Sequence, residues 1–255
     1  MSQNSHCLNC NEAVFQKFCP NCGQKTDTHR ITFKHLVFHD IIHGVWHFEK
    51  GILFTLKEAI TRPGKAALDY INGKRIKYYN VFYLALILIG LNIFIVHYYD
   101  IHAKEYLPEL EKTASYEGDK LGVFLDNYSK LLLLGLLPLF AINSFILFGK
   151  RKLNFSEHVI ISGMLYLGIL LISMVMNLFV FFDFTKKLVF VSDFANILTP
   201  ILLLLYTVFA YYNAFGDYYK KWVFLPKIII FIVLLFIEIV LFILFVKLFL
   251  SKGLL

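Results

Sequence analysis

Apolar and polar positions divide this chain into two unlike parts. Up to residue 78 they are mixed, with basic and polar side chains never far apart; beyond it, apolar runs dominate. A helix needs about 20 mostly apolar residues to cross about 30 Å of hydrocarbon. Five stretches meet that demand, at residues 80–98, 130–149, 158–182, 191–215 and 226–246. Tyr78-Tyr79 and Tyr98-Tyr99 flank the first as interfacial aromatic anchors, Lys150-Arg151-Lys152 closes the second, and Asp183 to Phe190 leaves only a tight hairpin between the third and fourth. Before them, residues 31–78 predict amphipathic helices at the membrane interface. Thr61-Arg62-Pro63-Gly64 interrupts these helices, because Pro cannot continue a helix and Gly is a natural cap. The loop at 99–129 carries Leu107, Leu110, Leu121, Val123 and Phe124, which predict short helices lying on the bilayer.

Composition agrees with a membrane protein. Of the 255 residues, 58% are hydrophobic and 17% charged, and the mean hydropathy is +0.64; soluble domains run nearer 45–50% apolar and about 25% charged. The net charge of +7 bears mainly on orientation and on anionic headgroups. Lys74, Arg75 and Lys77 precede the first span, Lys150 to Lys152 follow the second, and Lys220 and Lys221 follow the fourth. Residues 99–129 are acidic instead. With five crossings, this bias puts the N-terminus inside and the C-terminus outside. Met1 to His6 is polar rather than signal-like, which agrees with a cytosolic N-terminus. The cluster Lys74, Arg75 and Lys77 is a candidate for lipid-headgroup contact. A nucleic-acid role would call for a folded basic face, which we do not read here.

The chemistry is concentrated at the N-terminus. All four cysteines, Cys7, Cys10, Cys19 and Cys22, lie in two CxxC pairs separated by eight residues. Each CxxC turn aims backbone amides at its sulfurs, and two such turns supply four thiolates for a tetrahedral Zn²⁺. Gly23 follows the second pair and Asn11 the first, both residue types that tolerate a positive φ. A closed four-sulfur site leaves no room for a substrate water, so the expected zinc is structural, one per chain, and its binding supplies folding energy. Tandem redox CxxC motifs are the lesser alternative. The expected fold class is therefore an all-α polytopic membrane protein: a small zinc ribbon at 5–25, interfacial amphipathic helices at 31–78, and a transmembrane helical bundle at 79–250 with about five spans.

His35, His39, His43 and His47 recur every fourth residue. On a helix they form one stripe, opposite a wide apolar face of Leu36, Val37, Ile41, Ile42, Val45 and Phe48. A plain interfacial helix is the preferred reading. A second metal site or a pH-sensing stripe are the alternatives. Within the spans, Glu238 is the one mid-helix carboxylate, with Asn92, Asn143, Asn177 and Asn196 as further polar positions and Pro138 and Pro200 as helix irregularities. Such a set serves a transport path or ordinary interhelical hydrogen bonding. Searches for GxSxG, HExxH, P-loop and dinucleotide motifs find none.

The run from Cys19-Pro20-Asn21-Cys22-Gly23-Gln24-Lys25 through His29-Arg30, the histidine-rich helix, Lys50-Gly51, Leu53-Phe54-Thr55, Arg62-Pro63-Gly64, Tyr70-Ile71 and Gly73-Lys74-Arg75 resembles a bacterial domain-of-unknown-function family. Its members are inner-membrane proteins with an N-terminal double-CxxC zinc ribbon. The resemblance is strongest over residues 7–90 and implies a bacterial cytoplasmic membrane location without implying an activity. The first knuckle lacks the Gly common in such ribbons. We therefore expect a non-enzymatic inner-membrane protein whose ribbon and interfacial helices form a docking or regulatory module, with membrane lipids and a protein partner as its contacts and oligomeric state left open. A small transporter or channel using Glu238, and a membrane metalloenzyme using the histidine stripe, are the alternatives.

Overall fold

The computed structural model describes residues 6–26, 30–32, 51–106 and 120–251. The histidine stripe at His35, His39, His43 and His47 lies outside the described residues, as do Leu107 and Leu110 of the acidic loop. Among the described residues the regular structure is helical. It comprises α1 (Ile52–Thr61), α2 (Pro63–Ile71), α3 (Val81–Tyr106), α4 (Lys120–Leu147), α5 (Phe155–Phe179), α6 (Val189–Phe215) and α7 (Lys221–Ser251). Four stretches are long and apolar enough to cross a membrane: Val81–Ala103, Phe155–Phe184, Val189–Tyr218 and Lys221–Ser251. The protein is thus an all-α membrane protein. The remaining apolar stretch, at 130–149, falls within α4, whose 28 residues give about 42 Å of helix. Leu121, Val123 and Phe124 belong to that same continuous helix rather than to a separate surface helix.

Helix α5 is the hub. Its apolar stretch is 67% buried inside the protein, against 11% for α7. Its start is set by a capping box: Asn154 Oδ1 accepts from the Glu157 amide at 2.9 Å, and Glu157 Oε2 accepts from the Asn154 amide at 2.7 Å. Helix α3 packs along one side of α5, α4 along another and α6 along a third. Helix α7, apolar all round, lies chiefly against α4 and leaves most of its circumference to lipid. Aromatic rings tie the C-terminal end of α6 to the C-terminal end of α4, with Phe148 stacked on Phe215 at 4.6 Å and on Tyr211 at 5.6 Å.

The short helices α1 and α2 form a hairpin seated between α5 and α6. The turn follows from sequence: Pro63 takes the first helical position of α2, where its missing N–H costs nothing. Small residues explain the depth of insertion. Ala59, Ala66 and Ala67 are fully buried, and a Cβ on Gly64 would stand 2.2 Å from the Ala214 backbone nitrogen, so α2 and α6 meet backbone to backbone. Asn213 Oδ1 accepts from the Lys65 amide at 2.8 Å, satisfying a free donor at the start of α2. Further in, the Tyr206 hydroxyl donates to the Ala59 carbonyl, and the same hydroxyl fills the space above Gly168. Gly168 lies about 20 Å along α5 from its first residue. The hairpin is therefore part of the bundle and not a loose surface amphipath.

Polar groups on the hairpin are paired among themselves. Glu58 forms an ion pair with Arg62, and Arg62 reaches Asp69 at 3.2 Å, which in turn binds Lys74 at 3.0 Å. The Tyr78 hydroxyl donates to Glu58 at 3.5 Å. Burial first, then the charges of Asp69 and Glu58, raise the Tyr78 pKa above its ordinary value and keep it a donor.

The backbone contact at Gly64 yields a prediction. Gly64→Ala should lower the melting temperature in detergent by the equivalent of about 1–3 kcal/mol, as overpacking does. Gly90→Ala, in open space on α3, should not. Equal effects of the two changes would mean that the hairpin is not held by close approach.

Candidate metal centre

The two knuckles repeat one geometry. The Cys7 amide donates to the Glu12 carbonyl and the Cys19 amide to the Gln24 carbonyl, both at 2.8 Å; Asn11 and Gly23 donate to the Cys7 and Cys19 carbonyls at 2.8 and 2.9 Å. Asn11 and Gly23 both have positive φ, 62° and 74°. Asn thus takes the left-handed position in the first knuckle that Gly takes in the second. Isolated antiparallel bridges, His6 with Ala13 and Phe18 with Lys25, close each turn.

The turns bring all four sulfurs within 4.8 Å of one another. Cys7 and Cys22 lie 3.6 Å apart and Cys10 and Cys19 3.5 Å apart. Four thiolates about 2.3 Å from a tetrahedral ion lie about 3.8 Å apart, so the donor set fits a divalent metal such as zinc. Apolar support is slight, with Val14 the only other buried residue in the cluster of Cys7 and Cys19. Crowding splits the acidities. Burial disfavours the Cys22 thiolate, but the Gln24 amide, the Asn9 side chain and the neighbouring thiols hold its pKa down to about 6. The Glu12 amide favours the Cys10 thiolate, yet burial and the other three thiols outweigh it and push the pKa up to about 12. A bound cation would remove that conflict by stabilising every thiolate together.

The cluster is fastened to the bundle at two points. Gln24 is 3% exposed, and its Oε1 accepts from the Arg75 and Ile76 amides at 3.1 and 3.3 Å. Six residues on, Arg30 forks onto Glu157, with Nε to Oε1 and Nη2 to Oε2 both at 2.8 Å, and donates to the Lys152 carbonyl at 2.9 Å. Asn154 Nδ2 donates to the Ile31 carbonyl at 2.9 Å, and Ile31 enters the main core at 1% exposure. Glu157 thus serves twice, capping α5 and gripping the segment that leaves the ribbon. Neither Gln24 nor Arg30 nor Glu157 stood out as a site in the sequence. The one signal that could have been read is Asn154 followed three residues later by Glu157, a capping-box spacing that carries no trace of the Arg30 partner.

Candidate headgroup residues divide. Lys74 pairs with Asp69, and Arg75 donates to the Tyr70 carbonyl at 3.3 Å while its guanidinium lies over the Tyr70 ring at 5.6 Å; Lys77 is exposed. Within the bundle, Asn143 Nδ2 donates to Glu238 Oε2 at 2.9 Å, joining α4 to α7. The next residue, Ser144, meets His158 Nδ1 at 2.7 Å, joining α4 to α5. Asn92 donates to the Leu170 carbonyl at 3.2 Å and accepts from Asn177 at 3.3 Å, whereas Asn196 faces outward. Of the five polar positions singled out in the sequence, Glu238, Asn143, Asn92 and Asn177 make interhelical bonds.

Comparison with known proteins adds one match. Residues 49–89 match the family described as Protein of unknown function (DUF3667). The match spans the α1–α2 hairpin, the Gly73-Lys74-Arg75 turn that receives Gln24, and the start of α3. No curated protein and no solved structure matches.

Gln24→Ala should leave metal content per chain at the wild-type value while removing the side-chain acceptor of the Ile76 amide and one of two acceptors of the Arg75 amide, the other being the Gly73 carbonyl. A loss of about 1–3 kcal/mol in stability is expected, measured by thermal denaturation in detergent beside elemental analysis. Loss of metal in this variant would show that the knuckle needs the Gln24 side chain as well as its carbonyl.

Proposed function

We propose that this chain is a non-enzymatic bacterial inner-membrane protein whose N-terminal ribbon binds one structural zinc and displays a docking surface on the cytosolic face of a helical bundle. One observation carries the reading. The ribbon is clamped to the bundle through Gln24 and Arg30, yet Phe15 and Phe18 remain 89% and 58% exposed. A ribbon of this size has no reason in its own folding to hold two phenylalanines in water, and aromatic residues on a rigid support are the usual anchors of protein interfaces. Its partner is a protein bearing an apolar pocket. The basic loops support a cytosolic N-terminus, and an outside C-terminus follows if all five apolar segments cross.

Transport through Glu238 is the second reading. The Asn143 carboxamide on Glu238 is sufficient for an interhelical bond, worth about 1 kcal/mol, and asks for no ion path. Catalysis by the histidine stripe is the third reading, and the stripe lies outside the described residues.

The test uses full-length protein in its native membrane. A photo-crosslinker at position 15 should give a discrete protein adduct that Phe18→Ser weakens and that Cys19→Ser with Cys22→Ser abolishes together with the zinc. Glu238→Gln should leave the adduct and the complementation of a deletion strain unchanged. Crosslinks to lipid alone would contradict docking, and loss of complementation in Glu238→Gln with the adduct intact would favour transport.

A further inference from the structure

Beside the dock lies a cleft of about 540 Å³. It opens between the segment leaving the ribbon, the end of α2, and the connection from α4 to α5. Its walls are Arg30, Asn72, Arg151, Lys152, Glu157 and Tyr218, with Ile71 and Leu153 as apolar sides. The volume is that of a small-molecule site. The charge is unbalanced, three cations against one carboxylate, and the carboxylate is already spent. Glu157 Oε1 holds Arg30, and Oε2 holds both Arg30 and the Asn154 amide.

Arg151 is held ready in the cleft. Its guanidinium lies over the Tyr218 ring at 4.3 Å and Nη1 donates to the Ala214 carbonyl at 3.1 Å, which fixes the plane and leaves other N–H groups to donate. Among the described residues, the Lys152 ammonium and the Asn72 carboxamide have no hydrogen-bond partner. Lys152 also sits at φ 55° and ψ 35°, the left-handed region that Gly and Asn occupy more easily than Lys. The turn itself would be better served by glycine, so the side chain is what lysine adds there.

We propose that this cleft binds a phosphate-bearing anion, with Arg151 and Lys152 on its oxygens and Asn72 as a neutral donor. A forked guanidinium and an ammonium arranged around one space suit a tetrahedral oxyanion with several acceptors. The Tyr218 ring and the Ile71 and Leu153 side chains receive the group esterified to it. The cleft lies where α5 begins and α6 ends, at the membrane boundary. A lipid headgroup and a soluble phosphate ester therefore offer it the same chemistry. The site does not depend on what the ribbon's phenylalanines contact.

The experiment is a melting-temperature titration of the full-length, metal-loaded protein in neutral detergent. One arm adds phosphatidylglycerol in mixed micelles and the other adds glycerol 1-phosphate. Wild type should show a saturable rise in at least one arm, and the half-saturating concentration should increase about tenfold or more in Lys152→Gly and Lys152→Asn. Both replacements suit the left-handed turn, so the ligand-free variants should melt at or above wild type. Lys187→Gln, an exposed charge at the opposite end of α6 from the cleft, should bind as wild type. A rise with the lipid alone assigns a headgroup, and a rise with the ester assigns a soluble ligand. No rise in either arm, unchanged affinity in both Lys152 variants, or an equal loss in Lys187→Gln would overturn the proposal.

Discussion

The N-terminal ribbon cannot bury enough surface to hold itself together, and the organisation of the bundle end that carries it answers that shortage. Its interior is four sulfurs and Val14, so a metal held by those sulfurs would be the principal cohesive element of the segment. Metal alone would fold the knuckles without orienting them. Orientation comes from Gln24 and Arg30, which lie just beyond the second knuckle and reach the bundle at separate places. Because the Gln24 carbonyl also closes the Cys19 turn, the residue that completes the metal knuckle is the one that docks it. Metal occupancy and docking are thereby coupled through a single residue.

The receiving surface is equally constrained. The turn that accepts Gln24 directly follows α2, and α2 is locked to α6 by a backbone contact only glycine permits. Glu157, which accepts Arg30, is held by the capping geometry that starts the most buried helix. Both docking points therefore sit on rigid parts of the bundle. The second of these points lines the basic cleft, so an anion bound there and a docked ribbon would share Arg30 and Glu157 as neighbours.

Much of this was legible in the sequence, and the boundary between legible and hidden is physical. Hydropathy reports apolar runs directly, so the long helices followed from residues 80–98, 158–182, 191–215 and 226–246. CxxC spacing encodes a local turn, so the cysteine cluster and even the left-handed Asn11 could be anticipated. Pairings across distance could not. Arg30 and Glu157 are 127 residues apart and Gln24 and Arg75 51 apart, and neither residue type in isolation signals a partner. The insertion of α1 and α2 was hidden for the same reason: its moderate polarity reads as interfacial, while the reasons for burial, Tyr206, Asn213 and Ala214, lie on a distant helix. Glu238 and Asn143 were each visible as polar outliers, and only the fold made them one interaction.

Hydrogen–deuterium exchange on the full-length protein, before and after removal of metal by a chelator, tests the coupling of metal and dock most directly. The account predicts that the Ile76 amide is protected in the metal-loaded protein and loses protection together with the cysteine knuckles when metal is stripped, with a smaller loss at Arg75, whose amide also donates to the Gly73 carbonyl, while α5 amides deep in the bundle stay protected. Unchanged protection at Arg75 and Ile76 after the knuckles have opened would contradict it.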